Sequence, residues 1–326
     1  MNKVRLGKTG PEVFPLALGC MGMSGMYGPT DDENGISTIR AAVERGVSLI
    51  DTGDFYGMGH NELLVARALR GVRDKVQLSV KFGAQRNPEG AFLGLDMRPA
   101  AVQTAVAYSL QRLGVEVIDI YRPARLDPQV PIEDTIGAIA DLIKRGYVRH
   151  IGLSEVGPET IRRAAAVHPI VDLQIEYALV SRGPEDKIFP TLDELGISAT
   201  LYGVLSRGLL SGSKPSAPTD YRSHLPRFSG ENATNNARIV EALGQFAAAR
   251  GMSKGQVAIA WARAKQPGYV PLIGTRTPEQ LNDALGALEH PLTDADLAEL
   301  ERLVPANAIA GTRYDKHQMA MLDSER

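Results

Sequence analysis

The chain has one cysteine, Cys20, and one tryptophan among 326 residues. A lone cysteine excludes an intrachain disulfide, a paired-cysteine redox motif and a cysteine-rich metal site. Its place in an apolar run reads as an inert buried thiol. Charge of one sign is also missing: 36 Lys and Arg face 38 Asp and Glu, a formal net charge of -2. No field for a polyanion follows, so a nucleic-acid partner is not expected. No apolar stretch reaches the roughly 18 residues of a membrane span, so no membrane partner is expected. The opening MNKVRLGKTG does not read as a secretory signal, because no unbroken apolar run follows its basic residues. The expected location is cytoplasmic. HExxH, GxxxxGK(S/T) and an early GxGxxG are absent, and the six histidines are scattered. A metal site, a P-loop and a doubly wound dinucleotide site are therefore unsupported.

What is present is a rhythm. A small hairpin reads at residues 4–6 and 13–16, turned by Gly7, Gly10 and Pro11. Short apolar strands then read at 16–19, 47–50, 76–80, 117–121, 148–153, 171–175, 197–201 and 270–273. Segments of helical spacing separate them, at 33–45, 61–69, 99–113, 132–144, 158–167, 188–195, 236–250 and 253–264. Helices at 278–288 and 294–303 close the chain. Alternation of this kind implies an α/β fold with a parallel sheet, and eight units favour a (β/α)8 TIM barrel with an N-terminal hairpin and extra closing helices. One domain over 1–326 is expected. The segment 206–235, rich in Ser, Gly, Pro and Asn, reads as a long substrate or cofactor loop. The tail beyond Pro305, with Tyr314 and His317, is expected over the top of the barrel.

Barrels of this kind place chemistry at the carboxyl ends of their strands. The segment DTGDFYG, residues 51–57, directly follows one strand, and Lys81 ends the next. Charges there are costly to bury alone and read as a network, with Asp51 pairing with Lys81 and the Tyr56 hydroxyl near the ammonium. A neighbouring cation favours the tyrosinate and makes Tyr56 a better proton donor to a carbonyl oxygen. Spacing alone leaves a second reading open, a rim salt bridge beside an ordinary loop tyrosine.

The chain resembles the aldo-keto reductase superfamily over essentially its whole length. The family opening is matched by Leu6-Gly7-Lys8-Thr9-Gly10. The signature DTAxxYGxGxNE appears as DTGDFYGMGHNE at 51–62. SVKFG at 79–83 is similar to the family's lysine strand, and SLQRLGVEVIDIY at 109–121 to its helix and fourth strand. The resemblance implies a catalytic set of Asp51, Tyr56 and Lys81, with Tyr56 as general acid/base, Lys81 tuning it and Asp51 holding Lys81. The fourth member departs: the histidine of the family segment DLYYxHR falls on Ala124. Arg122 or Arg125 is then a candidate to lend a donor or bind an anionic group, with a solvated charge as the alternative for each.

The cofactor segments are similar as well. The resemblance implies Ser154 and Gln174 beside a nicotinamide amide, with Glu155 where the family has Asn, and Tyr202 against the ring. Gly203, Leu205, Ser206 and Arg207 are implied around the pyrophosphate. Gly274, Thr275 and Arg276, with Gln280 beyond, are implied at a helix N-terminus that takes an adenosine 2′-phosphate. Thr277 stands where the family has a second basic residue, and Asp283-Ala284 where it has Glu-Asn. Met23 is assigned to the cofactor side of the first loop, where methionines and the rings of Tyr27, Phe55 and Phe92 suggest an apolar wall. NADP(H) is the implied cofactor, with NAD(H) kept as the alternative, and no metal is required. The implied function is an oxidoreductase interconverting a small aldehyde or ketone with its alcohol. The alternative is a cofactor-binding regulatory subunit with weak or no turnover, suggested by Ala124 and Glu155. Substrate identity, homo-oligomerisation and a regulatory partner stay open.

Overall fold

A computed structural model describes residues 2–215 and 220–326; residues 216–219 of the expected 206–235 loop lie outside them. Two short strands, β1 (Val4–Arg5) and β2 (Glu12–Val13), pair antiparallel as the opening hairpin. Gly10 is obligatory in its turn, since a Cβ there would meet the Leu6 carbonyl oxygen at 2.1 Å. Eight parallel strands then close a barrel: β3 (Ala17–Gly19), β4 (Leu49–Gly53), β5 (Gln77–Phe82), β8 (Ile118–Pro123), β9 (Val148–Ser154), β10 (Ile170–Glu176), β11 (Ser198–Tyr202) and β12 (Val270–Gly274). Between β5 and β8 lies an antiparallel hairpin that the sequence reading passed over, β6 (Ala84–Arg86) and β7 (Phe92–Leu95). Its FLGL strand carries exposed Phe92 and Leu93, so it has no apolar alternation to reveal it. Phe92 therefore faces solvent.

The helices α1 (Asp32–Glu44), α2 (His60–Ala68), α3 (Pro99–Leu113), α4 (Ile132–Lys144), α5 (Pro158–Val167), α6 (Ile188–Leu195), α7 (Gly230–Ala248), α8 (Lys254–Lys265) and α9 (Pro278–Gly286) follow the strands. α10 (Asp294–Leu303) and the short α11 (Lys316–Ala320) close the chain. None of the described helices is long and apolar enough to cross a membrane. α7 starts at Gly230, six residues before its apolar spacing begins. The Asn-rich entry is held by tertiary bonds: the Asn236 amide donates to the Arg227 and Ala310 carbonyls at 3.0 and 2.9 Å.

Side chains on a strand alternate between its two faces, and in a closed barrel these faces are the interior and the helix layer. Ile50, Leu78, Val80, Phe82, Tyr121, Leu153, Leu173 and Ile175 pack outward into the main core under the helices. A second cluster, with Leu6, Val13, Ala17, Leu49, Ile120, Val171 and Val270, fills the lower end of the barrel above the hairpin. The remaining positions of the same strands carry Asp51, Ser79, Lys81, Arg122, Ser154, Asp172, Gln174, Glu176, Thr200 and Tyr202. Register levels them, with Lys81 beside Gly53 and Arg122, and Gln174 beside Ser154 and Thr200. The interior is thus apolar below and polar toward the carboxyl ends.

Candidate active site

The lower polar layer is structural. Arg122 is fully buried and donates to Asp172, Ser79 and the Leu153 carbonyl, each at 3.1 Å. Thr200 donates to the same Asp172 carboxylate at 2.8 Å. Gly152 makes room for this pair, because a Cβ there would meet Asp172 at 2.7 Å and the guanidinium at 2.9 Å. Arg122 is therefore no candidate for the missing imidazole.

One layer higher, Asp51 accepts from Ser79 at 2.8 Å and from the Gln174 amide at 2.9 Å, and it ion-pairs with the buried Lys81 ammonium. That ammonium lies 5.3 Å from the centroid of the Tyr56 ring, and Phe55 packs edge-on against the same ring at 4.8 Å. Tyr56 follows β4 in a tight turn, Tyr56–Gly59, in which Gly57 and Met58 have positive φ angles. Two further signature residues fix the turn from below. Asn61 is buried and joins Thr52, Ser24 and the Cys20 carbonyl, while Glu62 pairs with Arg112. These are scaffold roles, and they explain why the motif runs past its tyrosine.

Electrostatics at Tyr56 differ from the expectation. Burial, then the Asp51 charge, push its phenol well above the usual tyrosine range, and Arg125 is the cation that opposes them. Burial lowers the Lys81 ammonium, against the pull of Asp51. The lysine's charge is largely spent on Asp51, so Tyr56 is a neutral phenol at neutral pH, with its proton in place.

Ala124 is buried in the core, its amide donating to Phe82 at 2.9 Å. Arg125, next to it, is half-buried and turns toward the mouth. It donates to the Ala124 carbonyl at 2.7 Å and to Ser154 at 3.2 Å, and it reaches the Tyr314 hydroxyl at 3.5 Å.

The tail reaches the barrel mouth. Tyr314 and Tyr202 share a hydroxyl–hydroxyl bond of 2.9 Å. Arg313 grips Glu155 through two bonds, 2.9 and 2.6 Å, and Ser324 donates to the same carboxylate at 2.6 Å. The Glu176 amide donates to Glu155 at 2.9 Å. Burial raises Glu155, but Arg313 outweighs it and holds the carboxyl well below the ordinary range. Its backbone is at φ 53°, an uncommon region for a residue with a side chain. Glu155 thus spends its oxygens on the tail and the backbone.

The pattern described as the Aldo/keto reductase family matches residues 15–305. The chain belongs to the aldo/keto reductase family. It is 40% identical over 322 residues to the probable aldo-keto reductase 1 of Glycine max, spanning 96% of this chain and 92% of that one. The solved glycerol dehydrogenase of Gluconobacter oxydans is similar at 30% identity and a TM-score of 0.85, over 95% of this chain and 98% of that one. An aldo-keto reductase of Bacillus halodurans in its holo form is similar at 27% and 0.79, over 98% and 99%. One from Klebsiella pneumoniae, in complex with NADP and acetate, shares the fold at 24% and 0.75, over 97% and 99%. Membership makes the chain an oxidoreductase of small carbonyl compounds and alcohols.

The other expected cofactor positions of this reductase fall in two groups. Gly203 has φ 68°, and a Cβ there would meet the Glu176 side chain at 2.9 Å. Leu205 then opens a tight turn, Ser206–Ser211, in which Ser206, Arg207 and Gly208 all have positive φ. The Arg207 guanidinium turns inward, bonded to Glu176 at 2.9 Å and stacked 4.3 Å from the Tyr314 ring centroid. Its side chain is thus engaged in an internal ion pair. Ser206 accepts from Arg227 at 3.2 Å.

At the other group, Gly274 ends β12 and Thr277 caps α9, accepting from the Gln280 amide at 3.3 Å. The Gln280 side chain accepts from the Arg276 amide at 2.9 Å, and Arg276 reaches across to the Tyr27 carbonyl at 3.1 Å. Thr275 is buried, yet its hydroxyl has no hydrogen-bond partner. A cavity of about 340 Å³ lies between α7 and the start of α8, lined in part by Ser211, Ala248, Met252, Lys254 and, from α9, Asp283. Lys254 had no motif to mark it, since it joins the cavity only through the packing of α8 against α7 and the Ser206–Ser211 turn. The Met23 side chain is buried in the core with Leu18, Cys20 and Leu64, where a flexible thioether fills a gap.

Proposed function

We propose that the protein is an NADP(H)-dependent oxidoreductase in which Tyr56 gives and takes the proton while a small carbonyl compound and its alcohol interconvert. The observation that supports this most directly is the stacked set at the carboxyl ends of β4 and β5: the Tyr56 ring, the Lys81 ammonium 5.3 Å from it, and Asp51 holding that ammonium. A buried neutral phenol is a proton donor that water does not compete with. As negative charge develops on the carbonyl oxygen, the Lys81–Asp51 pair and Arg125 surround it with fixed dipoles and charge. Asp51 prevents Lys81 from turning away, and Ser79 and Gln174 keep Asp51 in place. In the oxidation direction the tyrosinate takes the proton back.

The residues present fit a phosphorylated dinucleotide. The unpartnered Thr275 hydroxyl, Arg276 and the N-terminus of α9 supply donors for a phosphate beside an adenosine-sized cavity. Gly203, Leu205 and Ser206 offer backbone for the pyrophosphate, and Ser154, Gln174 and Tyr202 surround the place for a nicotinamide. When bound, the nicotinamide supplies or accepts the hydride. The same basic corner favours NADP(H) over NAD(H). One domain over 1–326 and a cytoplasmic location complete the reading; the buried Cys20 thiol, with a pKa raised by burial, suits a reducing compartment.

Tyr56→Phe should lower kcat by about 10²–10⁴-fold, the usual worth of a positioned general acid, while NADPH still quenches or shifts protein fluorescence as in wild type. Turnover near the wild-type rate would overturn the role of Tyr56. Ala124 supports the second reading, a subunit that binds the cofactor without turnover. NADPH binding with no oxidation across a carbonyl panel would favour it.

A further inference from the structure

Six arginines gather at or under the barrel mouth, and five of them have a carboxylate partner. Arg122 pairs with Asp172, Arg207 with Glu176, Arg222 with Asp220, Arg227 with Glu176, and Arg313 with Glu155 and Glu176. Arg125 has no ion-pair partner among the described residues; its bonds go to a carbonyl and to the hydroxyls of Ser154 and Tyr314. A half-buried guanidinium that forms no ion pair has its fork free for a ligand, and a planar fork with spare N–H groups is shaped for a carboxylate.

We propose that Arg125 is the substrate's anion-binding residue, and that the preferred substrates are carbonyl compounds with a carboxylate beside the carbonyl, 2-oxo acids reduced to 2-hydroxy acids. This rests on the reading of Tyr56 as proton donor. Two features place the anion near the reacting carbon. Arg125 adjoins Ala124, the position where the family resemblance puts the imidazole that meets the substrate carbonyl. Its charge also acts directly on the Tyr56 phenol, favouring the phenolate. A 2-oxo acid, whose carboxylate and carbonyl carbons share one bond, would give its carboxylate to Arg125 and its carbonyl oxygen to Tyr56, and Ser154 and Tyr314 hold the fork in place.

The chemistry balances. A C–H bond forms at the carbonyl carbon with hydride from NADPH, the C=O π pair moves to oxygen, and that oxygen takes the Tyr56 proton. The 2-oxo acid is reduced, NADPH is oxidised to NADP⁺, and the tyrosinate regains a proton from water.

The test compares phenylglyoxylate with its methyl ester, which keeps the skeleton and removes the charge, in wild type, Arg125→Met and Arg125→Lys. Oxamate binding to the NADP⁺-loaded protein, measured by calorimetry, gives a readout without turnover. Wild type should prefer the acid by at least about tenfold in kcat/KM. R125M should lower kcat/KM for the acid at least about tenfold more than for the ester and abolish oxamate binding, and R125K should retain part of both. An equal loss on acid and ester, no preference in wild type, or a matching loss of NADPH affinity would overturn the proposal. Ester or benzaldehyde turnover that depends on Tyr56, without any preference for the acid, sinks the role of Arg125 and leaves the reductase reading intact. No Tyr56-dependent turnover of any carbonyl compound sinks both.

Discussion

The barrel holds two buried ionic networks that differ in how they are built. The inner one, Arg122 with Asp172, Ser79 and Thr200 and then Asp51 with Lys81 and Gln174, joins side chains on the barrel strands at neighbouring levels. The outer one joins Glu155 and Glu176 to Arg207, Arg227, Arg313 and Ser324, partners as far as 169 residues apart. Closure of the sheet is enough to assemble the first. The second is completed only when the loop after β11 and the tail have come over the mouth, so the difference separates what supports the barrel from what covers its site.

Removing one partner of the inner network should have the largest effect. Arg122→Met leaves Asp172 charged and buried with only Thr200 as a donor, and should cost about 3–5 kcal/mol in denaturant unfolding. Pairing it with Asp172→Leu should recover a large part of that loss. An R122M protein as stable as wild type would erase the distinction between the networks.

Arg313→Met should cost less, on the order of 1–3 kcal/mol, because Glu155 keeps Ser324 and the Glu176 amide as donors and Glu176 keeps Arg207 and Arg227. Its effect should be local. Hydrogen exchange should quicken over residues 306–326 and at 155–157, while the strands stay protected. Uniform loss of protection throughout the barrel would show that the tail is part of the scaffold.

The smallest effect concerns Asp54, a half-buried carboxylate that belongs to neither network. Burial and the nearby Glu62 push its pKa from 3.8 up to about 7. The folded state therefore holds this proton more tightly than the unfolded chain. Its contribution to stability is complete below about pH 4 and is lost as pH rises through about 7. Asp54→Asn should add on the order of 1 kcal/mol at pH 8 and little at pH 4, flattening the pH dependence of unfolding. A gain of equal size at both pH values would contradict the sign.

The same division describes what could be read in advance. Asp51, Tyr56 and Lys81 lie within 31 residues of one another at successive strand ends, so position suggested a network and the family resemblance implied their roles. The roles of the two arginines could not be separated that way. Arg122 and Arg125 are three residues apart, and only the strand's inward face and its end decide that one supports the barrel and the other opens on its mouth. Glu155 stood only as a departure from the family's Asn, and Arg207 as an implied pyrophosphate ligand; the ion pair that each makes with another segment had no local sign.

The sequence by itself determined the alternation of strands and helices, the closed parallel barrel and the level at which polar side chains enter it, because side-chain period and strand length are local properties. Only the tertiary structure decided which charges pair, that Met23 is core, that Lys254 borders a cavity and that the tail seals onto Glu155. Those outcomes depend on distances between segments far apart in the chain, and a buried charge takes whichever counter-charge the completed packing brings within reach.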